Sequence, residues 1–366
     1  FLILVYGLVE KEKMLTDVSL KLSKPVRNDV NLADFFLFMI FVFMFTLIAF
    51  RGDFSSDYIN YERHFIIARS ISWNDLLTGG FRVGGTGGVE IGFYILMKLI
   101  GIFTKDPIWL FIFVATFTLI PIYKSIKKES EIRWLSLLLY VVFGSFVTSF
   151  NVMRAIFAYS LLFSKRKYLY ERRYIKYLIV VLLVSTIHLS SILMLAIILL
   201  DILKLSNKKY ILLVIPSALL VFIFSERLIL LGDKILYNNY FSTIYKHGIR
   251  EVSFGNIIAP LLLGLIVVIS AFLVRGKDRR YDVWLKVSTL WVFFRILMIN
   301  FIEMRRFADM MSFYMVLYFP YMINRLPFDR STKSAIKVAL TLATIALFYY
   351  SMKDSPYNPY YFIWAR

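Results

Sequence analysis

The sequence predicts an all-α, polytopic membrane protein, and three observations carry that reading. Mean hydropathy is +0.69, and 59% of the 366 residues are hydrophobic. Apolar runs of about 16–20 residues recur along the chain, the length at which a helix matches the hydrocarbon thickness of a bilayer. Between the runs, Lys and Arg gather in short loops, as the positive-inside rule expects of cytoplasmic segments. Together these predict about 11–12 transmembrane helices in one integral membrane domain over residues 1–366, with interfacial or re-entrant helices in the outer loops. The net charge of +19 sits in those short loops, a distribution that excludes nucleic acid as the partner. With no Cys and three scattered His, neither thiolate chemistry nor a metal site is expected. No Walker, Rossmann, HExxH or GxSxG motif stands in a suitable context, so no cofactor is expected.

The elements follow in order. The chain begins at Phe1, so residues are expected before it, and 1–9 read as the tail of a membrane helix rather than a signal peptide. Residues 10–31 carry Lys11, Lys13, Lys21, Lys24 and Arg27 and are placed in the cytoplasm. Residues 32–50 cross outward and deliver RGDFSSDYINYERHF, residues 51–65, to the far side. Residues 66–82 read as an amphipathic interfacial helix and GGTGG at 84–88 as a loop. Residues 89–103 are apolar but short and interrupted by Lys98, which suits a re-entrant segment. Parity agrees: 107–123 is a span, and the basic loop after it (Lys124, Lys127, Lys128, Arg133) lies only one crossing from the outer loop. The outer loop therefore runs over 51–106.

Residues 134–149 go out and 152–163 return to KRKYLYERRYIK, the most basic loop of the chain. The apolar stretch 174–204 fits one tilted helix or a hairpin. Lys204, Lys208 and Lys209 at its far end favour the hairpin, with His188 at the outer turn. Residues 210–224 go out, 225–255 form a second outer segment, and 257–274 return to RGKDRR. Residues 283–300 go out, 307–323 return, and 335–350 end outside.

This topology, set from basic loops and helix lengths, sends the unusual polar residues to one face: Asp53, Asp57, Glu90, Asn151, Arg154, His188, Glu303, Arg305 and Arg306. Charged and polar groups beside apolar segments are costly and mark a site. A guanidinium with several donors suits a phosphate or pyrophosphate at the membrane surface, which is the reading of Arg154, Arg305 and Arg306; headgroup contact is the structural alternative. His188, Asp53 and Asp57 are candidates to take a proton from a sugar hydroxyl. Tyr58 and Tyr61 can stack on sugar faces. Glu90 either caps the following helix or faces the cavity.

The order of RGDFSSDYINYERHF, EIGFYILMKLI, FNVMRAIFAYSLLF, IHLSS and EMRRFADMMSFY resembles the EpsG-like family of Wzy-type polysaccharide polymerases, over roughly residues 33–350. Gly52, Asp53, Asp57, Tyr58 and Tyr61 match its Gly-Asp and Asp-Tyr-x-x-Tyr pattern. Glu90, Gly92 and Phe93 match its Glu-x-Gly-Phe, Asn151 and Arg154 its Asn-x-x-Arg, and His188 and Ser190 its His-Ser element. Ala155 stands where the family usually has Gln. The resemblance implies a fold like the C class of membrane glycosyltransferases and a metal-independent bacterial polymerase of O-antigen, capsule or exopolysaccharide in the inner membrane. Its active site would face the periplasm and transfer a growing glycan from undecaprenyl pyrophosphate to a lipid-linked repeat unit. His188, Asp53 and Asp57 are then the catalytic candidates, and Arg154, Arg305 and Arg306 would bind pyrophosphate. Tyr58, Tyr61, Glu90, Asn151 and Glu303 would hold the sugar or acceptor. The expected partners are the undecaprenyl-pyrophosphate-linked oligosaccharide, membrane lipids and a chain-length regulator protein. Alternatives are a transferase adding one sugar from a polyprenyl monophosphate and a flippase of lipid-linked glycans. A flippase would show repeated topology and polar residues on both faces, and the sequence shows neither.

Overall fold

The computed structural model describes residues 3, 6, 7, 10, 32–78, 89–143, 145–236, 254–275, 278–299, 304–353, 355, 357 and 359–365. It is 82% helical and, among those residues, holds no strand, so the chain is an all-α polytopic membrane protein. The first long helix, α1 (Leu32–Ala49), buries Leu37, Ile40, Met44 and Ile48 and exposes Phe35, Phe38, Val42 and Phe43. An apolar face left outside is what a helix against lipid requires.

Beyond α1, the short helices α2 (Ser56–Ser70), α3 (Trp73–Thr78) and α4 (Ile91–Phe103) build a second apolar cluster around Phe65, Phe93, Met97 and Phe111. With 13 residues, α4 spans about 20 Å, short of the roughly 30 Å hydrocarbon core. Lys98, the cation that interrupts its apolar run, is buried and donates to the carbonyls of Ala68 and Ile71 at the end of α2. A cation there complements the negative end of the α2 dipole.

The remaining elements form the bundle: α5 (Ile108–Glu129), α6 (Arg133–Val142), α7 (Ser145–Thr148), α8 (Met153–Ser164), α9 (Lys167–Tyr170) and α10 (Tyr174–Ser185). A 3-10 turn over Leu189–Met194 leads into α11 (Leu195–Ile202), then α12 (Asn207–Leu236), α13 (Phe254–Leu273), α14 (Arg279–Leu297), α15 (Arg305–Arg325) and α16 (Arg330–Lys353). Helix α15 is buried without interruption from Ala308 to Ile323 and packs on α6, α8, α14, α16 and the 3-10 turn. It is the central post.

Four helices among the described residues are long and apolar enough to cross a membrane: α1, α5, the 207–224 part of α12 and the 330–350 part of α16. Shorter apolar helices lie beside them, among them α4, α6 and α10. Two features keep other apolar segments from meeting that length and composition. The runs at 134–163 and 174–204 break into shorter pieces, and α14 and α15 have the length but carry polar residues that lipid-facing helices exclude. Helix α12 also continues unbroken through Ser225 to Leu236, so no helix end marks the expected boundary there; 237–253 lie outside the described residues. The stretch 174–204 does form a hairpin: the Tyr174 hydroxyl at the start of one arm donates to Asp201 at the end of the other.

Residues expected in the basic inner loops meet at one end of the bundle. Asp34 pairs with Lys127 (3.1 Å) and Arg133 (2.8 Å), Glu129 with Arg166, and Glu131 with Arg325. His188, at the tip of the hairpin, lies at the other end.

Candidate active site

The site forms where the hairpin tip meets the starts of α4 and α8. Helix α10 stops because Ser185 and Thr186 turn their hydroxyls back onto the carbonyls of Leu182 and Leu183, both at 2.7 Å. Such bonds compete with helix propagation. His188 follows in an extended conformation (φ −150°, ψ 108°) before the 3-10 turn begins. Glu90 occupies the N-cap position of α4, yet its side chain makes no cap hydrogen bond. It reaches to the tip instead, where its Oε1 accepts from the Leu189 amide (2.8 Å) and lies 3.5 Å from His188 Nδ1. Its other oxygen contacts the Arg154 guanidinium at the start of α8.

Burial works to raise the Glu90 carboxyl, but the His188 ring beside it, the Arg154 charge and the Leu189 amide outweigh it and hold it below the ordinary value. Glu90 is therefore anionic at neutral pH. His188 is 7% exposed, and neither its Nδ1 nor its Nε2 has a hydrogen-bond partner among the described residues. The same holds for Arg154 Nε and Nη1, the latter touching Glu90 without hydrogen-bond geometry. Buried polar atoms are nearly always satisfied, so four unpartnered nitrogens in one cluster point to a ligand.

Gly92 lets the pieces close. Its amide donates to the Thr186 carbonyl at 2.8 Å, and a Cβ there would stand 2.8 Å from that carbonyl carbon and nearer still to Thr186 Oγ1. Gly92→Ala is expected to push α4 off the hairpin tip, costing about 1–3 kcal/mol as overpacking does. Thermal unfolding in detergent reads this directly, and an unchanged melting temperature would mean the tip is not seated on α4.

Tyr61 stands beside this cluster within the fields of Arg154, Asp57 and Arg51; burial pushes its phenol up to about 12, so it remains a donor at neutral pH. His64 lies 2.6 Å from the Tyr94 hydroxyl, and burial, then the Arg154 charge, lower its pKa. Asn151 accepts from the Asp57 amide (3.3 Å), so its side chain caps the first turn of α2. Asp53 accepts from the Tyr361 hydroxyl (2.8 Å), and the 361–363 backbone pairs with Phe50 and Gly52. Tyr58 corrects the expectation of a sugar-stacking ring. It is fully buried, stacked on Phe111 at 4.4 Å, with the Arg51 guanidinium near both rings. Glu303 lies outside the described residues.

The second group of cations sits across Tyr159. That residue packs its ring on His188 (5.6 Å between centroids) and lies within range of the charges of Asp309, Arg306, Glu90 and Arg154. Asp309 is approached by Arg295 (3.4 Å) and by Arg305 (3.6 Å); Arg305 and Arg306 are otherwise exposed. The sequence reading missed Arg295, a guanidinium inside an apolar run that the rule on charges in membrane segments flags. It also missed Asp309, whose signal is its i,i+4 spacing from Arg305. Arg51 reads as an ordinary boundary cation, yet it is fully buried. Its Nε and Nη1 each lie 2.7 Å from a carbonyl, of Phe150 and Ile48, which pins the turn that presents Arg154.

Comparison with curated proteins gives no match, and comparison with solved structures gives none either. The profile of one family does match, over residues 34–362, which takes in all of the helices but the first two residues of α1, and the whole of the site. On that extent of agreement, this membrane protein of polysaccharide-polymerase type belongs to the EpsG family.

Proposed function

We propose that the protein is a metal-independent polymerase that transfers a growing glycan from undecaprenyl pyrophosphate to the next lipid-linked repeat unit, at the periplasmic face of the bacterial inner membrane. The observation that carries this reading is the buried Glu90–His188–Arg154 cluster with its orphaned nitrogens. The acceptor hydroxyl attacks the anomeric carbon of the donor sugar. The bond to pyrophosphate breaks with its electron pair on the departing oxygen, and the hydroxyl proton passes to His188 Nε2. Glu90 orients the ring through Nδ1 and stabilises the imidazolium, as a carboxylate behind a base does. Arg154, Arg305 and Arg306 offset the charge that develops on pyrophosphate. Tyr61 and Asp57 line the sugar end. Between α4 and α5 lies an apolar cavity of about 740 Å³, lined by Leu96, Phe103, Trp109 and Phe113, which suits the prenyl chain of such a substrate.

The test is reconstitution. Purified protein in proteoliposomes, given synthetic repeat units on undecaprenyl pyrophosphate, is expected to produce a ladder of products. A single added sugar from a polyprenyl monophosphate donor, or movement of lipid between leaflets without transfer, would overturn the assignment in favour of one of the two alternatives.

A further inference from the structure

A cavity of about 490 Å³ opens at the end of the bundle opposite the Glu90 site, and nothing in the proposed reaction uses it. The two sites are separated by the hairpin, whose arm Tyr174–Ser185 is 12 residues long, about 18 Å of helix. Two loops and the start of α14 converge on the cavity, and Arg172, Lys204, Lys208, Arg279 and Lys286 line it. Two carboxylates also line it, and both are already engaged. Asp201 is held by Arg279, Lys286 (2.8 Å) and the Tyr174 hydroxyl, and Asp282 accepts from Asn207 (2.8 Å). Arg172 and Lys204 make no ion pair among the described residues. The first turn of α12, at Ser206–Asn207–Lys208, adds the positive end of a long helix to the wall.

The backbone supplies an independent observation. Arg172 (φ 54°) and Lys204 (φ 50°) are the non-glycine residues with positive φ among those described, and both line this one cavity. Each occupies the position just past a helix end. Arg172 follows α9, with its own amide on Leu169 O (3.2 Å) and the Arg173 amide on Tyr168 O (2.8 Å); Lys204 follows α11, with its amide on Asp201 O (3.2 Å). That left-handed position is the one glycine normally fills, because a side chain there is strained. Two helix ends that favour glycine both carry a long cation instead, directed to the same place.

We propose that this cavity is a binding site for a phosphate-bearing anion, with Arg172 and Lys204 as its free ligands and the Asp201–Arg279–Lys286 cluster as its fixed floor. It is independent of the glycan chemistry at the other end. The anion can be soluble phosphate or the headgroup of an acidic phospholipid, and the experiment separates them. The double variant Arg172→Gly, Lys204→Gly removes both cations and relieves both strained positions, so it is expected to melt no lower than wild type in plain buffer. Wild type in neutral detergent is then titrated with inorganic phosphate and pyrophosphate against sodium chloride of equal ionic strength. In parallel, it is melted in nanodiscs of phosphatidylcholine with and without phosphatidylglycerol. A saturable rise of several degrees in the first arm, lost in the double variant, assigns soluble phosphate; a rise confined to the second arm and lost in the variant assigns the headgroup. No anion-dependent rise in either arm, or a rise that the variant retains, overturns the proposal.

Discussion

Replacement of Arg154 by alanine is expected to abolish long glycan chains while single repeat units still accumulate on the lipid carrier. Two effects act together. The departing pyrophosphate loses a positioned cation, and removing one such stabilising group costs about 10²–10³ in rate. Glu90 meanwhile keeps its buried charge without its partner. Breaking a fully buried ion pair costs about 3–5 kcal/mol. This pair is partly open, with side-chain exposures of 18% and 23%, so up to about 3 kcal/mol is the expected scale here. The double variant Arg154→Ala, Glu90→Gln separates the two effects, because it removes both charges and should recover most of the stability without recovering polymer. A gel of surface glycan from cells carrying each variant, with protein level measured alongside, is the readout. A normal ladder from Arg154→Ala would remove Arg154 from the reaction.

What could be read from the sequence follows from what one-dimensional signals encode. Glu90, Arg154 and His188 each interrupt or border an apolar run, and helix parity sent all three to one side; the structure brings them into contact. Their division of labour was not legible. That Glu90 serves the hairpin tip rather than its own helix depends on a contact 99 residues away. Tyr58 and Tyr61 look equivalent in DYINY, and only the placement of Phe111 decides that Tyr58 is packed under it. Arg51 was hidden for a similar reason, since its burial is set by the carbonyl of Phe150. Hydropathy records apolar runs but not the breaks within them. Those at 143–152 and 186–188 arise from local side-chain and turn hydrogen bonds. Helix α15 differs in the opposite sense: enclosed by other helices rather than lipid, it tolerates Asp309, Ser312, three tyrosines and three arginines that lower its apolar signal.

Changing the pair behind the reaction is the other large expected effect. His188→Ala should lower turnover by about 10²–10⁴, the range for loss of a general base, with the fold retained, because no hydrogen bond of the His188 ring holds the tip together. Glu90→Gln is the sharper test. A glutamine oxygen can still accept from the Leu189 amide, so the tip keeps its place; what disappears is the negative charge facing His188 and Arg154. Turnover should therefore fall although the geometry survives. The charge also has a signature in stability. The Glu90 carboxyl is held below its ordinary value of 4.5 in the folded state. A depressed carboxylate contributes stability that is present above the unfolded value and is lost as pH falls through the folded one. Wild type is thus expected to lose melting temperature on acidification below about pH 4.5, and Glu90→Gln to lose less over the same window. If the two proteins melt in parallel down to pH 3, or if Glu90→Gln polymerises at the wild-type rate, the carboxylate is not the partner of the base.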